Sequence, residues 1–352
     1  MTIEAVRWLF GGMATLRNYD LDGLRGLAAF SVAVGHCASV AGGIGPALRM
    51  TVATVPDATL QDAIFRFLHI VFHADAAVIV FFVLSGLVLS RSLRRKDDGF
   101  VPYIVRRAFR LIPVAAASAL IIGFLTPSST WSQIFGAAIL YDTSLNGVLW
   151  TLQIEVWGSL WVFAAVTARR LHPALFVAFL ATTFAVSYFD NRPVPLFMSA
   201  FALGAIVDDL PAAATNRIIA LLGLAALMTA DFLLGPGFAM RCWQMAGAFC
   251  VVAYVARHSI WVTTNPVAHF LGRISYPFYL LHLAGALIIV KLGVRSLDLD
   301  PYALFAVYSL SSISIAIGLA WLTHAIVEVP GMVIGEKARR MIAAPRPEPV
   351  AA

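Results

Sequence analysis

The chain has 352 residues, 60% of them hydrophobic and 12% charged, and a formal net charge of +6. Its mean hydropathy is +0.84. That balance excludes a soluble domain and leaves no room for a sizeable soluble unit beside the apolar body. The positive charge does not point to nucleic acid, because the basic residues collect between apolar runs, as they do on the inner face of a membrane.

Residues 1–19 read as a cytoplasmic amphipathic lead-in carrying Val6, Trp8, Leu9 and Phe10. The first apolar stretch then runs over about 24–41. It is long, broken by Arg25 and followed by many more, so it does not read as a secretory signal. A loop reaches to about Asp62, and an apolar-periodic stretch covers Ile64 to Phe72. Further apolar runs of spanning length fall near 74–90, 111–125, 148–167 and 171–188, then 194–207, 216–234, 238–256, 268–290 and 302–323. The pattern predicts an all-α polytopic membrane protein of about ten transmembrane helices. Residues 20–330 form its membrane domain and 331–352 a cytoplasmic basic tail. The three cysteines Cys37, Cys242 and Cys250 all fall within spans. Cys242 and Cys250 stand eight apart on one helix, about 12 Å along its axis, too far to bridge. No spacing typical of a metal site is present.

Ten spans place both termini on one side. With that side cytoplasmic, nineteen of the 25 Lys and Arg residues fall in inner segments. Outer segments hold only Arg49, Arg66, Arg192, Arg241, Lys291 and Arg295. The excess predicts cytoplasmic N- and C-termini.

Against this frame a few polar residues stand out. Arg25 and His36 are eleven positions apart, roughly three helical turns, about 16 Å along the axis with about 20° of offset. They share one face at two depths. Charged groups within a span are costly and usually face a wet or protein-lined interior that marks a site. The plainer reading is that Arg25 snorkels to the inner interface and His36 makes one interhelical hydrogen bond; the helix alone leaves both open. Arg107 and Arg110 share a face at the start of a helix, and paired guanidiniums suit phosphate oxygens. They equally fit an ordinary positive-inside anchor. Glu155 lies early in an outer-to-inner span, at a position that can bring it to the depth of His36; otherwise it pairs with Arg66 or Arg192. Ser275, Tyr279 and His282 lie on one helical face, where His282 alone reads most simply as a satisfied interhelical histidine. His69, His73 and Asp75 cluster before the 74–90 span without metal-like spacing, and His73 or Asp75 can cap that helix.

Taken in order, these residues form a set of motifs. They are Asp22-Gly23-Leu24-Arg25-Gly26 with His36, Phe81-Phe82-Val83-Leu84-Ser85-Gly86, and Arg107-x-x-Arg110-Leu-x-Pro113. Leu149-Trp150-Thr151-Leu152-x-x-Glu155, Ser275-Tyr276-x-x-Tyr279-Leu-x-His282 and Val327-Glu328-x-Pro330 follow. The set resembles the acyltransferase-3 family of integral membrane O-acyltransferases, over about 20–330. The family usually has Ser where Thr151 stands and often a polar residue at Val156, and no SGNH-hydrolase domain follows the membrane region here. The resemblance implies transfer of an acyl group, most often acetyl, from cytoplasmic acyl-CoA to a hydroxyl of an extracytoplasmic glycan or similar acceptor. It implies a bacterial cytoplasmic (inner) membrane and no metal. His36 would then act as general base or carry the acyl group, Glu155 would orient or recharge it, and Arg25 would lie along the path of the pantetheine arm. Arg107 and Arg110 would hold CoA phosphates, and Ser85 would meet the donor near the oxyanion. A multispan transporter or flippase with a buried Arg/His/Glu relay is the competing reading. It lacks support from any inverted repeat between the two halves of the chain.

Overall fold

The computed structural model describes residues 18–41, 59–96, 99–190 and 193–342. The lead-in expected before residue 18 lies outside them, as do Arg49, Arg192 and the end of the basic tail. Among the described residues there are fourteen α-helices and no strand. Every apolar run read from the sequence falls on a helix. The first is α1 (Tyr19–Ala41), followed by α2 (Leu60–Val71), α3 (Ala74–Lys96) and α4 (Phe100–Leu125). Next come α5 (Trp131–Ala138), α6 (Trp150–Leu171), α7 (Pro173–Asp190) and α8 (Pro193–Gly204). The last six are α9 (Arg217–Leu234), α10 (Phe238–Val255), α11 (Trp261–Thr264), α12 (Pro266–Lys291), α13 (Pro301–Thr323) and α14 (Val329–Ile342). Among the described residues, seven helical segments are long and apolar enough to cross a membrane. Helix α1 has the length for a span, while α7 and α8 are the shorter apolar pair.

Local sequence sets the helix ends. Asn265 and Asp300 accept backbone N–H bonds at the starts of α12 and α13, each followed by a proline whose missing N–H costs nothing there. Between α13 and α14 the chain makes a π turn at His324–Glu328. Pro330 has no N–H to offer the Ile326 carbonyl, and the His324 ring meets the buried Glu328 carboxylate at 2.7 Å. Gly331 and Gly335 of α14 press against Phe109 of α4.

At the centre, α1 and α3 pack on each other and α1 also packs on α12. A Cβ at Gly26 would collide with the Gly272 backbone, and one at Gly272 with Asp22, so glycine on both sides lets the two helices touch. The same device joins α3 to α8 through Gly86 and Gly204.

Polar contacts gather at two opposite poles. At one, Arg91 grips Asp208 through two bonds of 2.9 and 2.6 Å, Arg94 and Arg169 share Asp209, and Arg257 donates to the Val207, Asp208 and Leu210 carbonyls. The Arg169 guanidinium, with Arg94 beside it, holds the Asp209 carboxyl down to about 2. At the other pole Arg66 pairs with Asp231 at 2.9 Å and Arg241 with Asp75 at 3.0 Å.

Helix α4 starts eleven residues before the expected 111. Phe100, Tyr103, Ile104 and Val105 extend its apolar stretch, and Arg107 lies two turns inside the helix, 8% exposed within the bundle.

Candidate functional site

Two cavities lie along α1, α3 and α12. One, called inner after the orientation expected from the basic residues, has about 60 Å³ and is lined by Arg25, Ser85, Arg107, Arg110, Glu155 and Tyr276 among others. Helix positions explain the gathering. Arg25 comes from α1, Ser85 from α3, the arginine pair from α4, Glu155 from α6 and Tyr276 from α12. The family-like motifs therefore converge from five helices on one space.

Within it the charges are not equivalent. Arg107 donates to the Glu155 carboxylate at 2.6 Å and to the Ser159 hydroxyl at 3.1 Å. The Ser159 hydroxyl donates to the Glu155 backbone carbonyl at 2.7 Å, and the Ser85 hydroxyl lies 3.4 Å from the Glu155 carboxylate. A half-buried carboxylate facing a buried guanidinium with these supports is satisfied, whereas either charge alone would be costly. Arg25 pairs with Asp22 one turn earlier at 3.1 Å. Arg110 makes no hydrogen bond or ion pair with the described residues, so its planar fork of donors faces the cavity uncommitted.

The outer cavity, about 220 Å³, is lined by His36, Asp75, Gly147, Val148, Trp150 and Leu283 among others. His36 does not meet Glu155. Its partner is His282, with 2.7 Å between His36 Nδ1 and His282 Nε2 and the two rings parallel within 2°. The remaining nitrogen of His282, Nδ1, lies 2.6 Å from the Tyr279 carbonyl oxygen. A carbonyl only accepts, so Nδ1 of His282 carries the proton. Neutral His282 then presents a bare Nε2, and His36 Nδ1 must be the donor to it. The bond pattern thus assigns the tautomers and leaves a lone pair on His36 Nε2, the form a general base requires.

The structure accordingly splits the residues singled out in the sequence. Arg25, Ser85, Arg107, Arg110 and Glu155 share the inner cavity, His36 lines the outer one, and Tyr279 borders both. Arg66, a candidate partner for Glu155, pairs instead with Asp231. His69 and His73 also face Asp231, each at 3.8 Å, while Asp75 pairs with Arg241. The Nδ1 of His73 accepts the Ala76 N–H at 3.3 Å, which caps α3 as expected. Val78 escaped the sequence reading, and Asp75 was read there only as part of a cluster that can cap the helix. The signal was present: stepping back from Ser85 by helical turns reaches Phe81 or Phe82, then Val78, then Asp75, all on one face of α3.

A family model described as "Acyltransferase domain" (Acyl_transf_3) matches residues 18–323 of the chain. No curated protein and no solved structure matched it.

Proposed function

The chain belongs to this acyltransferase family, and on that premise we propose that it moves an acyl group, acetyl foremost, from cytoplasmic acyl-CoA to a hydroxyl of an extracytoplasmic glycan or similar acceptor. The observation that carries the proposal is the pairing of the two cavities. A lone-pair imidazole nitrogen belongs to one of them, and an uncommitted guanidinium faces its neighbour across a shared wall.

In this reading the inner cavity takes the donor. Arg110 binds its phosphate oxygens, with Arg25 adding positive charge, while Arg107 is spent on Glu155 and fixes α4 against α6. The acceptor hydroxyl enters the outer cavity. His36 Nε2 removes its proton as the oxygen attacks the thioester carbonyl carbon. The tetrahedral intermediate collapses, the C–S bond breaks, and the proton returns from the imidazolium to the leaving thiolate. The products are an oxygen ester and free CoA thiol. His282 holds the His36 tautomer by accepting from Nδ1, and is a positioning residue. The protein sits in a bacterial cytoplasmic membrane with ten crossings and both termini inside.

The test is release of CoA thiol, together with acylation of surface glycans read by mass spectrometry. His36→Ala should lower transfer by at least about 10²-fold, the contribution of one positioned base, with insertion unchanged. His282→Leu should cost less and also shift the pH–rate profile, with His282→Gln recovering part of the rate because its amide oxygen can still accept from His36. A folded His36→Ala protein with near-normal transfer overturns the mechanism. A transporter would release no thiol from acyl-CoA at all.

A further inference from the structure

The two cavities have just two lining residues in common, Val78 of α3 and Tyr279 of α12. Both are buried, at 5% and 6% exposure. The Tyr279 ring is wedged edge-on against Phe81, with centroids 5.5 Å apart, and lies 5.9 Å from the His282 ring. Its backbone carbonyl is the acceptor that fixes the His282 proton. One residue thus stands between the arginines and the histidines with its side chain and sets the histidine tautomers with its main chain. Two residues earlier, Pro277 interrupts α12 and leaves the Arg273 carbonyl without its usual intrahelical donor. The helix is therefore easier to bend next to the dividing ring.

We propose that Tyr279 and Val78 form a septum between a donor chamber and an acceptor chamber, which limits the length of the acyl group passed on and keeps outer water off the thioester. The inference rests on the acyl-transfer reading above. Interiors of this kind are close-packed, so removing a ring from the wall leaves a gap larger than a water molecule. Two consequences follow from a widened septum. A longer acyl chain can lie across it, and water can take the place of the acceptor hydroxyl, giving a free carboxylic acid and CoA thiol. A residue that matters only for stability would lower all activities together and change neither ratio.

The experiment compares wild type with Tyr279→Ala, Tyr279→Phe and Val78→Ala. Val78→Ala removes two methyl groups from a helix interior and keeps the fold if the larger truncation does not. In membranes that retain the native acceptor, CoA release is measured with acetyl-CoA and butyryl-CoA against a His36→Ala blank. Hydrolysis without acceptor is measured on detergent-purified protein. The butyryl-to-acetyl ratio of kcat/KM should rise about tenfold or more in Tyr279→Ala and less in Val78→Ala, since each methylene admitted or rejected by a pocket is worth about that much. Acceptor-free hydrolysis relative to transfer should rise in parallel, and Tyr279→Phe, which keeps the ring, should keep both ratios. Unchanged ratios in Tyr279→Ala and Val78→Ala, with wild type releasing thiol, overturn the septum alone. No thiol release by wild type from either acyl-CoA overturns the transfer reading and the septum with it.

Discussion

Arg107 and Arg110 stand three positions apart on one helical face, and the structure gives them different partners. Arg107 is committed to Glu155 and Ser159 by hydrogen bonds, whereas Arg110 makes no hydrogen bond with the described residues and only adds its charge near Glu155. Sequence spacing cannot separate the two, because it reports which residues share a face and is silent on which neighbouring helix they meet. The same limit explains Glu155. Its place five residues into α6 gives a depth on its own helix, but the early start of α4 is what brings Arg107 beside it. His282 was legible as a histidine with an interhelical bond; that the bond runs to His36 was not, since the two are 246 positions apart. These differences set an expectation for each arginine. Arg110→Lys keeps the charge and loses the fork. If one charge-assisted bond to donor phosphate goes with it, about 1.5–3 kcal/mol, the KM for acyl-CoA should rise about tenfold or more with the acceptor KM little changed. Arg107→Met should strand a half-buried carboxylate, costing at most about 3–5 kcal/mol of stability, and adding Glu155→Gln should restore part of the loss. Steady-state kinetics that vary each substrate in turn, with melting curves in detergent, distinguish the two. A wild-type donor KM in Arg110→Lys would return that residue to an anchoring role.

At the scale of elements, the sequence showed where helices form far better than how closely they pack. Asp22-Gly23-Leu24-Arg25-Gly26 drew attention for its arginine, yet both of its glycines are contact points. Gly23 lies against the Thr263 carbonyl and Gly26 against Gly272 of α12. Asp20, just before the motif, accepts from the Ile260 N–H and the Thr263 hydroxyl, which ties the start of α1 to α11. The motif is thus the joint that holds α1, and with it His36, at a fixed height against α12 and His282. Gly26→Ala should force the helices apart and destabilise by about 1–3 kcal/mol, the usual cost of overpacking. It should also lower kcat by lengthening the His36–His282 contact. Gly318→Ala is the control, because a Cβ there meets nothing within 4 Å; it should be neutral or slightly stabilising, as alanine is the better helix former. Thermal unfolding in detergent checks both. Equal melting temperatures for Gly26→Ala and wild type would remove the joint from the account.

For the whole molecule, the orientation proposed from basic residues can be tested at the two poles where helix ends meet. The ends of α3, α6 and α10 meet around Asp208 and Asp209, while the start of α3, the end of α9 and the start of α10 meet around Asp75 and Asp231. The α7–α8 pair is the doubtful case by length, since α8 has 12 residues, about 18 Å of helix against a hydrocarbon core of about 30 Å. Its contacts nevertheless reach both poles. Tyr188 packs on Phe238 at one, and the chain beyond α8 delivers Asp208 to Arg91 at the other. A hairpin that leaves and returns to the arginine-rich pole keeps the number of crossings even. In the proposed orientation the Asp208 pole is cytoplasmic and the Asp75 pole external. Single cysteines at Pro211 and Pro236, placed in a background with Cys37, Cys242 and Cys250 removed, test this in intact cells with a membrane-impermeant maleimide. Labelling is expected at 236 and only after permeabilisation at 211, with positions in 126–147 labelled like 236. The reverse pattern would put Arg110 on the external side, away from the CoA pool, and the assignment of inner and outer cavities would have to be exchanged. Labelling of both positions from outside would show that the α9 segment does not cross, and the count of ten would fall.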